Sequence, residues 1–508
     1  MSAPVVSEAA ALTPVGEWRR LDPRMLIIHP LVELARALPA LVGLLLAGQG
    51  SGHGSQWSLI ATGIVAAAAT LRWFTTRFRI AAGQIQLRHG LLRRRTVAAP
   101  LDRVRTVDVT AHAMHRVLGL ARVVIGTGTS DRKGRPGLTL DGLRTADAAH
   151  LREELLHRTP ATPSTVDAAV LDETEILRLP PSWVRYAPFT LSGALTAVAI
   201  AGFAWRLNNE AHIDPERFGP LRTFVDHLSA APLWRDVLEL GAGAVVFIAV
   251  ASTAGYVLAF WNFRLTRHAG GTLHVTRGLI TSRATSIEER RLRGAEVSEP
   301  LLLRAVGGAR ALVIATGLRV GRGAERGGTM LMPPGPRHEA VRVSAAALRT
   351  SGPFTTPLIG HGPRARRRRF VRAVVGSLAI VAVIGLVWAA AGARGWGWTG
   401  ALVLVALSLP LAADRASNLG HALTDSYLVT QSGTLVRRRA VLSRDGIIGV
   451  NLRSTFFQRR AGLATLTATT AAGRQGYRVQ DVAAADAVDL AGDVLPGLLD
   501  EFVRRPVR

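Results

Sequence analysis

Six stretches of the chain are almost wholly apolar, and they fall into three pairs: 31–47 with 57–74, 183–205 with 237–261, and 370–391 with 398–413. A spanning helix needs about 20 mostly apolar residues, within a range of about 17–25. Each pair therefore predicts a helical hairpin that crosses a membrane and returns. Segments 31–47 and 398–413 are short for a span; the first carries Glu33 and Arg36, and the second has Pro410 near its end. Their pairing with longer neighbours favours crossing over a buried or interfacial helix. Between the hairpins, polar and apolar residues alternate in short runs, as in 84–88 before His89-Gly90 and 272–276 before Arg277-Gly278. Period-two alternation closed by glycine predicts half-buried strands and turns. Helices are expected at 146–158, 338–349 and 481–502. The first 30 residues are polar and interrupted by proline, and predict a disordered arm without a secretory signal.

The alternating segments repeat. Gly90, Gly278 and Gly433 follow corresponding strands, and 29 residues after each comes a second glycine, Gly119, Gly307 or Gly462. Arg116, Arg304 and Arg459 each precede that second glycine by three residues. Both landmarks keep the same offsets, 188 residues from the first copy to the second and 155 from the second to the third. The expected organisation is three tandem units, each a transmembrane hairpin followed by β structure and one helix. Its boundaries are an arm at 1–30, hairpins at 31–74, 183–261 and 370–413, and β modules at 75–160, 263–350 and 420–508. A linker at 161–182 and a basic linker at 351–369 complete the chain.

Charge changes this picture by giving it an orientation. The chain has 62 Lys+Arg against 36 Asp+Glu, a net charge of +26, yet only 19% of its residues are charged and its mean hydropathy is +0.23. Soluble domains carry about 25% charged residues, so a basic soluble nucleic-acid binder is disfavoured. The positive charge lies outside the apolar segments: 75–160 has sixteen Lys+Arg against seven acids, and 263–369 has twenty arginines against six. The hairpin tip 48–56 has no charged residue. Basic segments stay cytoplasmic, which places the β segments and both termini inside and makes the protein a multi-pass cell-membrane protein. Tryptophans near segment ends, among them Trp183, Trp261 and Trp398, would form the interfacial belt. The chain has no cysteine, which excludes disulfides, thiolate metal sites and thiol catalysis.

The strand and Gly-Leu turn at 87–92, the following Pro100-Leu101-Asp102-Arg103-Val104, and the Arg-x-x-Gly-Leu turn at 116–120 resemble the bacterial pleckstrin-homology-like (PH-like) membrane proteins of the YdbS/YdbT type. Three copies behind three hairpins resemble the longer, YdbT-like member. The second copy departs from the pattern, with Arg290 in place of the acid that Asp445 restores in the third, and Gly308 in place of leucine. The resemblance implies α + β membrane architecture: PH-like β-sandwich or barrel modules, each capped by a C-terminal helix. It implies no catalytic residues and no cofactor, and a role as an envelope-associated scaffold, in some members linked to tolerance of membrane-active antimicrobials. A shorter, single-module relative would be a natural partner.

The sharpest candidate positions are arginines. Arg93, Arg94 and Arg95 follow the first turn, and Arg437, Arg438 and Arg439 hold the corresponding place in the third copy. Arg366, Arg367, Arg368 and Arg369 stand immediately before an apolar segment. Basic residues near an anionic leaflet contribute about 1 kcal/mol each, so these ten are candidate lipid contacts as well as topology anchors. His112 and His115 lack a third ligand at suitable spacing for a metal. No phosphate-binding, nucleophile-elbow or metalloprotease motif is present. The expected function is a non-enzymatic membrane scaffold without metal or nucleic acid, with self-association through sheet edges. A transporter or channel built from the hairpins is the alternative; intramembrane acids are the residues such a path would use, and Glu33 and Glu239 are the candidates.

Overall fold

The computed structural model describes residues 18–26, 28, 63, 71, 74–81, 83–90, 95–100, 106–126, 138–156, 173–190, 202, 233–268, 270–317, 330–392 and 397–497. They form two compact units: Met1–Asp172 with Ile280–Ser286, and Glu173–Leu279 with Ile287–Arg508.

In the first unit, strands β1 (Arg19–Arg20), β2 (Arg77–Ala81), β3 (Gln84–His89) and β4 (Arg95–Pro100) make an antiparallel sheet in that order. Strands β5 (Thr106–Ala111), β6 (Leu120–Gly126) and β7 (Leu138–Arg144) make a second ladder, and residues 282–286 pair with the other edge of β5. Alternation sends Val123 and Ile125 of β6 and Leu138 and Leu140 of β7 into the core beside Ile85 and Val107. Helix Thr145–Leu156 closes this core with Ala148 and Leu151.

The N-terminal arm expected to be disordered is part of this unit from Trp18 onward. Arg19 and Arg20 pair with Phe78 and Arg77, and Leu21, Met25 and Ile28 are buried in the core. The local polarity of the arm hid three apolar anchors spaced closely enough to pack on one sheet. Asp22 holds the turn by accepting from the Arg24 amide and the Arg144 side chain, each at 2.9 Å.

The second unit opens with the ladder of β8 (Glu173–Arg178), β9 (Arg264–His268) and β10 (Thr272–Arg277). Strand β11 (Ser282–Glu288) follows, its residues 282–286 belonging to the first unit. Then come β12 (Leu292–Pro300), β13 (Gly308–Ala315), β14 (Met330–Pro336) and helix Arg337–Leu348. Strands β15 (Ile359–Gly360), β16 (Gly420–Leu423), β17 (Tyr427–Ser432) and β18 (Val436–Ser443) flank the last two apolar helices. A seven-stranded sheet runs β14-β13-β12-β18-β17-β16-β15. Strands β19 (Gly449–Arg453), β20 (Leu463–Thr469) and β21 (Gly476–Ala483) form a three-stranded sheet, closed by helix Ala484–Val494. Both segments expected to be linkers thus contribute structure: β8 lies within 161–182, and β15 lies within 351–369.

The repeated Arg-x-x-Gly has a physical cause. Gly119, Gly307 and Gly462 all adopt left-handed φ, at +70°, +71° and +66°. Each follows a one-turn helix and donates its amide to the carbonyl of Arg116, Arg304 or Arg459, the helix-ending geometry that glycine adopts at least cost. Each glycine carbonyl then accepts the amide that opens the closing helix, from Thr145, Arg337 or Ala484. Gly308, the departure in the second copy, makes room for a neighbour: a Cβ there would lie 2.6 Å from Leu303 and 2.9 Å from Tyr186.

Among the described residues three helices are long and apolar enough to cross a membrane: Gly241–Phe260, Gly362–Ala390 and Trp398–Ser417. Segments 31–47 and 57–74 lie outside the described residues apart from isolated positions. Segment 183–205 does not begin as a membrane helix. Residues Pro181–Phe189 form a 3-10 helix that buries Trp183, Tyr186 and Ala187, and Trp183 packs into the protein core rather than an interfacial belt. Pro188 and the run of bulky rings suit this short, tightly packed turn. The remainder of that segment, Thr190 and Gly202 apart, lies outside the described residues.

Candidate membrane-proximal arginine cleft

The polar ends of the last two apolar helices are tied to the β structure by buried charge. Asp481, fully buried in β21, accepts from Arg368 and forms an ion pair with Arg369, both near the start of helix Gly362–Ala390. Gln458 Nε2 donates to the same carboxylate at 2.7 Å. Asp414, three residues before the end of helix Val403–Ser417, accepts from Arg304 at 2.7 Å. Arg304 is the arginine of the Arg-x-x-Gly turn, so that turn also clamps an apolar helix. Within the apolar part, Ser377 and Ser408 of the two helices face each other at 3.3 Å between hydroxyls.

Beside this junction a cleft of about 370 Å³ opens between β17, β18 and β21. Four arginines line it: Arg415 from the last turn of helix Val403–Ser417, Arg438, Arg474 and Arg478. Glu296 of β12 is buried and pairs with both Arg438 and Arg474. Neither Arg415 nor Arg478 has a carboxylate in ion-pair contact among the described residues, and both are exposed. Thr430, Ser432 and the Tyr477 ring complete the lining. Burial, with Glu296 nearby, pushes the Tyr477 hydroxyl up to about 12, so it remains a neutral hydrogen-bond donor at physiological pH. Guanidinium groups suit planar or tetrahedral oxyanions, which they bind through paired N–H donors. A pocket with excess guanidinium at the foot of an apolar helix has the chemistry to hold a phosphodiester.

The arginines singled out by sequence have varied surroundings. Arg366 stacks over Phe370, and Arg367 is exposed. Arg368 and Arg369 are spent on Asp481. Arg437 pairs with Glu299 and donates to Asn418 at 3.3 Å. Arg438 lines the cleft, while Arg439 donates to the carbonyls of Pro353 and Thr356 at 3.1 and 2.6 Å. Arg93 and Arg94 lie outside the described residues, and Arg95 opens β4. Sequence reasoning missed Arg415, Arg474 and Arg478. Arg415 carried a signal, because it is the basic residue in the final turn of an apolar helix. Arg474 and Arg478 are far from it in sequence, and only the β20–β21 hairpin brings them to the cleft.

His115 contacts Asp141 at 3.3 Å and His112 contacts Thr281 at 3.2 Å. Among the described residues no group of three or more metal-ligating side chains is assembled. Glu239 pairs with Arg235 at 2.9 Å, and Glu33 lies outside the described residues.

Antiparallel β domains closed by a C-terminal helix and attached to apolar helices define a class of membrane-associated PH-like proteins. The family model of the bacterial PH domain matches residues 31–159 and 369–496, just over half of the 508 residues, and the chain belongs to that family. Each matched stretch runs from an apolar segment through to the closing helix. No curated protein and no solved structure matches the chain.

Proposed function

We propose that the protein is a non-enzymatic integral membrane scaffold, with six spans and both termini in the cytoplasm. Three PH-like modules face the inner leaflet, the middle one formed by the unmatched segment 263–350. What supports a third module is its strand order: β12, β13, β14 and helix Arg337–Leu348 follow the same sequence as β5–β7 and β19–β21 with their helices. The observation that carries a lipid-facing role is the arginine cleft at the foot of helix Val403–Ser417. Arg415 and Arg478, which have no carboxylate within ion-pair distance among the described residues, would hold an anionic headgroup, with Thr430 and Ser432 as neutral partners. The resemblance to the YdbS/YdbT type adds envelope stress or tolerance of antimicrobial peptides as the setting.

The test is lipid retention by the full chain in nanodiscs of mixed zwitterionic and anionic phospholipid. At about 1 kcal/mol per basic residue, Arg415→Ser with Arg478→Ser should weaken anionic-lipid binding by about 30-fold and leave zwitterionic lipid unaffected. Equal binding by wild type and double variant would overturn the assignment of this cleft.

A further inference from the structure

Two strand pairings inside the chain share one register. In the second unit β12 pairs with β18, placing Ser298 opposite Arg438 and Gly294 opposite Leu442. In the first unit β5 pairs with residues 282–286, placing Thr110 opposite Arg283. The repeat offsets of 188 and 155 residues carry Thr110 onto Ser298 and Arg283 onto Arg438. The same contact is therefore made twice, each time between the first strand of one three-stranded ladder and the strand after a repeat glycine.

Applied to the remaining strands, this rule leaves one of each kind over. β4 holds the position of β11 and β18, yet it pairs only with β3 among the described residues. β19 holds the position of β5 and β12, yet among the described residues it pairs only with β20. Their surfaces agree. From Gly294 to Pro300, β12 is buried throughout, whereas Asn451, Leu452 and Arg453 of β19 are exposed. Beside them Ile448 is 68% exposed and Phe457 72%. In β4, Thr96, Val97 and Ala98 are exposed. An open edge with apolar flanks is a template for another strand.

We infer that β19 of one copy pairs antiparallel with β4 of a second copy, in the register already used inside the chain. Gly449 then faces Ala99, Asn451 faces Val97, and Arg453 faces Arg95. The four strands β1–β4 and the three strands β19–β21 complete a seven-stranded sheet with the same numbers as the sheet through β12 and β18. The two edges differ, so the contact is head-to-tail and each dimer keeps one edge of each kind for further copies. Charge distinguishes this contact from the internal one. Glu296 and Glu299 receive Arg438 and Arg437 across β12–β18, but their repeat positions after β18 are Asn451 and Ser454. Arg453 opposite Arg95 is a like-charge pair, which opposes association and is screened by salt. The assembly therefore tightens as ionic strength rises. This inference rests on the three-module reading and names the partner of the scaffold as a second copy.

The absence of cysteine makes the test specific. Differently tagged full-length chains carrying Asn451→Cys and Val97→Cys are co-expressed and oxidised in native membranes. Opposed Cα atoms in an antiparallel pair lie about 4.5–5.5 Å apart, within disulfide reach. The expected result is a mixed-tag dimer at least about tenfold above that from Asn451→Cys with Ala98→Cys, where the second residue points to the other face. Its yield should rise severalfold between low and high salt, and adding Arg453→Glu should raise the low-salt yield. Equal yields for the two cysteine pairs, no mixed dimer, or a yield that falls with salt would each overturn the inference. Lipid retention measured on the same membranes separates the readings: retained lipid without the mixed dimer removes the strand contact alone, and the reverse removes the lipid site alone.

Discussion

Asp481 concentrates the chemistry that fastens a β domain to its apolar helix. It is fully buried, has a left-handed φ of +58°, and binds Arg368, Arg369 and Gln458. Aspartate tolerates that backbone conformation better than most residues, and its carboxylate compensates two guanidiniums drawn from water. Removing one side of a buried ion pair leaves charge uncompensated, at a cost of about 3–5 kcal/mol. Asp481→Ala should therefore destabilise the chain by about that amount in thermal unfolding of the detergent-solubilised protein, whereas Arg367→Ala, at an exposed position, should change stability little. This residue also shows where sequence reading stops. The expected helix 481–502 begins at Ala484, because Asp481 is held in β21 by arginines over 110 positions earlier. No local pattern carries that information. The arginine run before the apolar helix was legible as a run. That Arg368 and Arg369 turn inward while Arg366 and Arg367 do not was not legible.

At the level of elements, the start of helix Gly362–Ala390 meets β16 through a histidine pair. His361 Nε2 lies 3.0 Å from His421 Nδ1, and His361 Nδ1 lies 2.6 Å from the Gln480 carbonyl. With Nδ1–H of His361 donated to that carbonyl, its Nε2 accepts from Nδ1–H of His421, so both rings are neutral. Burial lowers both: His421 falls to about 4, with His361 as a second cause. His361 is lowered by burial despite the opposing pull of the Gln480 carbonyl and Asp481, with Arg369 adding to the lowering. A depressed folded-state value means that the unfolded chain binds protons first as the solution is acidified. Stability is full above the unfolded value of about 6.5 and declines as pH falls from there towards about 4. Melting temperature followed over that window should drop on acidification, and His421→Gln should flatten the dependence. The strands and closing helices around this junction were readable from period-two alternation and glycine spacing. The start of segment 183–205 departs from a membrane helix because Trp183 and Tyr186, as apolar as residues of a span, fill a core pocket beside Gly308 and Gly335.

For the whole molecule, the bacterial PH-domain family and the presence of membrane-spanning candidates were both legible, the first from repeat spacing and the second from length of apolar run. The orientation proposed here rests on arginine asymmetry and has a direct check. Single cysteines placed at Ser130, Gly323, Gly473 and Asn209 would be exposed to a membrane-impermeant thiol reagent. In intact cells only the Asn209 variant should be labelled, and lysis should make the other three reactive. Labelling of any of those three from outside would reverse the topology and move the arginine cleft to the opposite leaflet.

The β12–β18 pairing also sets an order of events during synthesis. β12 leaves the ribosome about 140 residues before β18, which at about 5–20 residues per second is roughly 7–30 s of translation. On the proposed topology, the last two apolar helices enter the membrane during that interval, while the β12 edge stands without its mate. Glu296 and Glu299, on that edge, have not yet met Arg438 and Arg437. Both carboxylates are buried once β18 is in place, and until then charged side chains on an open edge would disfavour pairing with a wrong strand.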